Sequence, residues 1–327
     1  MKPKTIPAMI PSKKATTWYE QRLIHIMDLI WADVERDVLP LFSNKIPSAV
    51  LDAKLSPEKI VQLLTTAIET LDIIINKYSS SELTNQYQRI AQGAISIASA
   101  EADKDFKEAM QNAIGINVEP LYKDIKFRVE NKDGELITVN LEGAIKNNTD
   151  LIKTIPKTYL GPMRDTLQNG VYQAYTAEEL AANILQEYDL LIKKKYNNVS
   201  KSYIARRIAR DQMAKVYSQT TRQRQEDSGV EYFKWQTSDD ERVSGNPSGV
   251  YKKAKISCYD ISRDNQIKKG EGVYSVKDGA TWNGESNLFP GSAHIQCRCV
   301  MIPLIDGVNY DGATGKYKKP KMPKGTT

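Results

Sequence analysis

Histidine and cysteine are almost missing from this sequence: 327 residues hold two histidines and three cysteines. Three thiols, an odd number in a long chain, form no disulfide framework and are expected to be reduced. His25 and His294 are too far apart to make the paired histidines of a metalloprotease helix. A phosphate-binding glycine loop followed by Lys-Ser/Thr is absent, as is a nucleophile elbow, so no enzyme signature stands out and no cofactor is expected. No apolar run approaches the roughly 18 residues that span a bilayer, and no apolar signal core follows the basic start. A cytoplasmic product with no membrane partner is the expectation.

Acid is missing at both ends. Residues 1–16 carry Lys2, Lys4, Lys13 and Lys14, and residues 312–327 carry Lys316, Lys318, Lys319, Lys321 and Lys324, with no Asp or Glu in either stretch. These nine charges exceed the whole net charge of +6 and leave −3 for residues 17–311. Interleaved with Pro3, Pro7, Pro11, Pro320 and Pro323, the two ends (1–16 and 306–327) read as basic flexible tails. They are candidates for contact with nucleic acid or an acidic protein surface, set against plain solubilising ends.

Between them, apolar residues recur at three- and four-residue steps from Thr17 to Pro40, including Leu23, Ile26, Met27, Ile30 and Val34. His25 lies in this stretch with no second ligand near it and reads as an interfacial or capped core histidine. Ser56-Pro57-Glu58 is a helix start, a third helix is expected over Glu82–Ala100 and a fourth over Asp105–Ala113, closed by Gly115. Residues 17–115 thus read as a helical N-terminal domain. The period changes to two over Ile125–Leu141, around Asn131-Lys132-Asp133-Gly134, giving a β-hairpin within a 116–144 linker. Helical signals break at Pro156, resume over Pro162–Leu167 and again over Thr176–Tyr188.

The longest helix of the second half is expected from Ser202, with Ala205, Ile208, Ala209, Gln212, Met213, Val216, Tyr217 and Thr220 as its buried stripe and Gly229 as its stop. Arg206, Arg207 and Arg210 lie opposite, with Asp211 at ion-pair spacing from Arg207. A strand follows over Tyr232–Thr237, then the charged turn Asp239-Asp240-Glu241-Arg242, then a loop-rich cap. The expected fold class is α+β: a helical bundle, a β-hairpin insertion, and a second domain over 145–305 of helices plus a small β cap.

Most of the unusual chemistry gathers near the end of that cap. Cys297 and Cys299 flank Arg298, and His294 lies three residues earlier. With Cys258 these make a possible tetrahedral zinc set. The paired two-residue spacings of zinc ribbons are absent, so the cysteines are read instead as small buried apolar residues, and the segment as metal-free. Asp239, Asp240 and Glu241 with His294 are the one constellation on which an enzyme acting on nucleic acid or nucleotides would be centred.

Six motifs occur in order: Ile208-Ala209-Arg210-Asp211-Gln212, Gly229-Val230, the Tyr232–Thr237 strand with Trp235, Asp240-Glu241-Arg242-Val243, Pro290-Gly291 and Cys297-Arg298-Cys299. Across about residues 145–303 the chain resembles the Mu F-like minor head proteins of tailed phages, the phage head morphogenesis family. Where many members carry a histidine or a cysteine pair after the Arg-Val turn, this chain reads Ser244-Gly245-Asn246-Pro247. The resemblance implies a minor structural virion protein, made in the bacterial cytoplasm and located in the phage head near the portal vertex. Its implied partners are the portal protein, the major capsid protein and packaged double-stranded DNA. In that reading Trp235, Asp240, Arg242, Pro290, Gly291, His294, Cys297, Arg298 and Cys299 hold the domain together. Arg206, Arg207, Arg210, Lys316, Lys318, Lys319 and Lys321 are the candidate contacts to portal or DNA.

Overall fold

The computed structural model describes residues 6–11, 13–43, 57–115, 126–130, 136–172 and 195–318. In chain order the first half holds α1 (Lys13–Asp37), α2 (Leu39–Ser43), α3 (Pro57–Ser79), a 3-10 turn at Ser81–Leu83, and α4 (Thr84–Ile114). Then come β1 (Phe127–Glu130), β2 (Leu136–Val139), α5 (Leu141–Lys153) and α6 (Ile155–Tyr172). The remainder holds α7 (Lys195–Asp227), β3 (Tyr232–Gln236), α8 (Cys258–Ile261), β4 (Val273–Ser275), β5 (Ala280–Trp282), β6 (Glu285–Leu288), β7 (Val300–Leu304), β8 (Tyr310–Asp311) and β9 (Lys316–Tyr317). Helices joined to small antiparallel sheets make this an α+β fold.

The chain divides into two compact units that interleave along the sequence. One comprises residues 17–91 and 148–208, the other residues 1–16, 92–147 and 209–327. The helix α4 is single where two were expected, because Glu101 to Lys104 carry no Gly or Pro to stop it. Its end is as read, with Gly115 at φ +76° donating its N–H to Gln111 O at 3.0 Å. The hairpin also forms as read, pairing Phe127 with Val139 and Val129 with Ile137. It stops before Leu141, because Asn140 caps α5 by accepting from Gly143 N at 2.9 Å. Pro156 sits at the second position of α6, where no N–H is needed, and Pro162 is carried inside that helix. The helix expected over Thr176–Tyr188 lies outside the described residues.

The first unit is built on stripes. Leu23, Ile26, Met27, Ile30 and Val34 of α1, Leu64, Ala67, Leu71 and Ile74 of α3, and Ile152, Ile155 and Leu160 of α5 and α6 are all buried. Its ion pairs each keep an exposed or half-exposed partner, with Lys77 to Asp33 at 2.6 Å and Arg164 to both oxygens of Asp72 at 2.6 and 3.1 Å, while inside it tyrosine hydroxyls meet Asn148 Oδ1 and Tyr78 O. His25 is exposed on α1, not in the core.

The second unit is organised round a three-stranded antiparallel sheet of order β4-β3-β7, and Phe233 and Trp235 of the central strand lie fully buried in its core. Tyr274 and Phe289 surround Phe233 at ring-centroid distances of 6.0 Å. The alternation in β3 does not expose its polar face, for Lys234 and Gln236 are buried as well. Lys234 Nζ donates to Ser262 O at 2.8 Å and Glu271 O at 2.5 Å, so loop carbonyls take the place of water. A Cβ on Gly272, whose φ is +61°, would collide with the Ser262 backbone carbonyl that also receives Lys234, which is why glycine stands there.

Neither end behaves as a tail through its described length. Ile6 and Met9 are buried in the same core as Phe106 and Met110, and α1 already starts at Lys13. Those two apolar side chains outweigh a proline- and lysine-rich composition. At the other end β8 and β9 pair round an Asp311 turn, and Tyr310 is buried with its hydroxyl donating to Lys269 O at 2.7 Å. Lys319 and Lys321 lie outside the described residues.

Candidate metal centre

Four elements of the second unit bring the rare residues together. The one-turn helix α8 is capped by Ser257, whose hydroxyl accepts from Asp260 N, and this places Cys258 at the first helical position. Cys258 N donates to Ser244 Oγ at 3.0 Å, which fastens the turn after Val243 to α8. The loop before β7 supplies the rest. Its Gln296 takes a φ of +61° and its N–H donates to Asp211 Oδ1 of α7 at 2.7 Å, while Asp211 is paired to Lys215 at 2.8 Å. Cys297 N closes the loop on His294 O at 3.2 Å.

The result is a cluster of Cys258, His294 and Cys297 whose ligand-type atoms all lie within 4.8 Å of one another. Cys258 Sγ is 3.1 Å from His294 Nε2 and 3.8 Å from Cys297 Sγ. Cys299 stands outside that set of three, two residues beyond Cys297 and immediately before β7, and all three cysteines are free and buried. His294 Nδ1 faces the Ile295 carbonyl at 2.8 Å, so Nδ1 carries the proton that the carbonyl accepts and Nε2 turns inward. Gly291 N donates to Cys297 Sγ at 3.3 Å. Gly291 has φ +77°, and a Cβ there would meet Ser218 Cβ at 2.9 Å, so only glycine brings this N–H so close.

Electrostatics sets the four groups apart. Hydrogen bonds from the Cys258 and Cys299 thiols, joined by the neighbouring His294 ring, hold Cys297 well below the usual thiol range. The same contacts, shared the other way, push Cys299 and Cys258 up. Burial works against a charged His294, yet the charge of Cys297 and hydrogen bonds that a protonated ring would donate to Cys258 and Cys297 outweigh it and raise the ring to about 11.

Around this centre the other residues singled out from the sequence fall into place or out of it. Arg298 points away from its flanking cysteines and grips Asp240 with both terminal nitrogens at 2.5 Å; Asp240 also accepts from Arg242 N at 2.9 Å. The Arg298 guanidinium holds the Asp240 carboxyl below its ordinary range. Arg242 is more exposed, its guanidinium 3.6 Å from Asp240, so it ties the turn mainly through its backbone. Pro290 O accepts from Ser218 Oγ of α7. Asp239 accepts from Thr237 Oγ1 at 2.5 Å and from Gln236 Nε2 at 3.2 Å, within its own turn. Arg206 and Arg207 are exposed and Arg210 is half-buried; Arg206 reaches Glu20 at 3.3 Å. Lys316 and Lys318 are exposed on the β8–β9 hairpin.

Lys215, Ser218 and Ser244 are positioning residues that pattern reading misses, as are Arg224 and Asp103, which form a buried ion pair in this unit. Polar residues on or beside the buried stripe of α7, such as Gln212 and Thr220, are the one sequence signal of this buried polar network.

Among known proteins, no family profile and no solved structure matches the chain. An uncharacterized protein of Haemophilus influenzae (strain Rd) is 26% identical over 296 residues, covering 90% of this chain and 54% of its own length. The chain thus spans about half the length of the curated relative it matches. No described helix is long and apolar enough to cross a membrane.

Proposed function

We propose that this chain is a minor structural protein of a tailed-phage head, acting near the portal vertex in capsid assembly and in packaging or delivery of DNA. The supporting observation is that the motifs of the resemblance touch one another. Asp211 of the first motif holds Gln296 beside the last; Asp240 of the turn holds Arg298 of the last; Ser218 of α7 holds Pro290. Residues as far as 85 positions apart meet in one unit, as they should if the pattern is a domain signature and not a chance series.

Enzyme chemistry centred on the acidic turn and His294 is the weaker reading, because each group has a structural engagement. Asp240 is occupied by Arg298, Asp239 by its own turn, and His294 by thiols and a carbonyl. Portal, major capsid protein and packaged double-stranded DNA are the partners of this proposal, with Arg206, Arg207, Lys316 and Lys318 as exposed described cations to meet them. Cross-linking of purified phage particles followed by mass spectrometry tests it. The expected result is this chain in mature heads, linked to portal subunits. Its absence from particles, or its recovery only from tails, would overturn the proposal.

A further inference from the structure

We propose that Cys258, His294 and Cys297 hold one zinc ion, with the buried Cys299 turning in as the fourth ligand of a closed tetrahedral shell, a structural staple for the loop-rich part of the second unit. The inference stands on geometry and does not depend on the phage reading. With zinc–sulfur bonds of about 2.3 Å, two thiolates on one tetrahedral ion lie about 3.8 Å apart. Cys258 and Cys297 already stand at 3.8 Å. With a zinc–nitrogen bond of about 2.0 to 2.1 Å, a nitrogen and a sulfur on the same ion lie about 3.6 Å apart, so His294 at 3.1 Å from Cys258 needs to shift outward by only about half an ångström.

The surroundings are those a ligand set requires. His294 Nδ1 donates to a backbone carbonyl, so Nε2, which stands 3.0 Å from Ser244 Oγ and 3.1 Å from Cys258 Sγ, is the nitrogen that a metal among the thiols would take. Gly291 N–H points at Cys297 Sγ, an arrangement that stabilises a metal-bound thiolate. Asp211, itself braced by Lys215, fixes the loop that carries both His294 and Cys297. Soft thiolates with an imidazole select zinc over magnesium or calcium.

Two other uses of these residues fit less well. A cysteine nucleophile needs access, and all three thiols are buried; a second and third thiol beside the pair would also have no task. Simple apolar packing accounts for Ser244 Oγ as a partner of His294 Nε2 but not for two thiols gathered at the same nitrogen within 4.8 Å of one another. A filled site joins α8 to the segment entering β7, and so supplies cross-links where Ser244 to Gly272 has few large apolar side chains of its own.

The test uses the full chain, produced with zinc in the medium and purified without chelator. Elemental analysis is expected to find about one zinc per chain, with all three thiols silent to a thiol-specific reagent until a chelator is added. Exchange into cobalt(II) is expected to give the intense charge-transfer and visible bands of a tetrahedral thiolate centre. His294→Asn and Cys299→Ser should each weaken metal retention, whereas His25→Gln, on exposed α1, should retain it in full. If the cysteine variants fail to fold, the cobalt spectrum and thiol protection of the unaltered chain still decide the matter. A folded chain that takes up neither zinc nor cobalt and titrates three free thiols overturns the proposal, as does one that purifies with a Cys258–Cys297 disulfide.

Discussion

The two units solve the same problem with different materials. The helical unit buries aliphatic side chains in long stripes and leaves its ion pairs at the edge. The sheet-bearing unit has short strands and long loops, and places its polar groups inside: Lys234, Arg224 with Asp103, Asp211 with Lys215, and the thiol cluster. Long helices present enough continuous apolar surface to specify their own packing, whereas three-residue strands must be located by particular bonds. Damage should therefore come from cavities in the first unit and from orphaned polar groups in the second.

The sharpest comparison is between two Arg–Asp pairs. Arg224→Ala leaves Asp103 buried without its cation and is expected to cost about 3 to 5 kcal/mol in chemical denaturation. Arg164→Ala removes a similar bidentate grip on Asp72 at the partly exposed edge of the helical unit, and about 1 kcal/mol or less is expected. Equal losses would erase the distinction. Leu71→Ala, a cavity in the helical core, should cost about 2 to 5 kcal/mol, and equal loss from the exposed Ile73→Ala would place that core elsewhere.

Arg298→Ala should fall between the two pairs, at about 1 to 3 kcal/mol, and well above Arg207→Ala, whose side chain is exposed. Acid offers a gentler version. Asp240 has a folded pKa below its unfolded value near about 3.9, so its contribution is complete above that value and is lost as pH falls through the folded pKa. Asp240→Asn should flatten the low-pH limb of the stability curve and change its neutral region less steeply. An acid limb of unaltered slope would show that another carboxylate governs it.

The difference between the units also governs what could be read from the sequence. Stripes such as Leu23–Val34 and Leu64–Ile74 repeat with the helix period and were legible, as were the hairpin, β3 and the glycine stops. The interleaving of the units was not legible, because α4, α5 and α7 each carry residues assigned to both, something no composition shift marks. Of the site, the four rare residues were noticed and then read as metal-free, since Cys258 stands 36 positions from His294. Distance along the chain concealed what α8 and the Gln296 loop bring together. The bracing from Asp211, Lys215 and Ser244 is ordinary polar sequence and becomes informative only with coordinates.

The interleaving of the units bears on synthesis. Residues 17–91 and 148–208 can assemble their aliphatic core as soon as residue 208 has left the ribosome. The other unit cannot: Phe106 and Met110, made early, have Phe233, Trp235 and Met301 as core companions, made more than a hundred positions later. Until then the apolar face of α4 beyond residue 92 is a sticky intermediate surface, and pairings of such long range are slow to close. A pause in translation after residue 208 should therefore yield nascent chains that are half native and dependent on chaperones, with the protease-resistant half being the helical one.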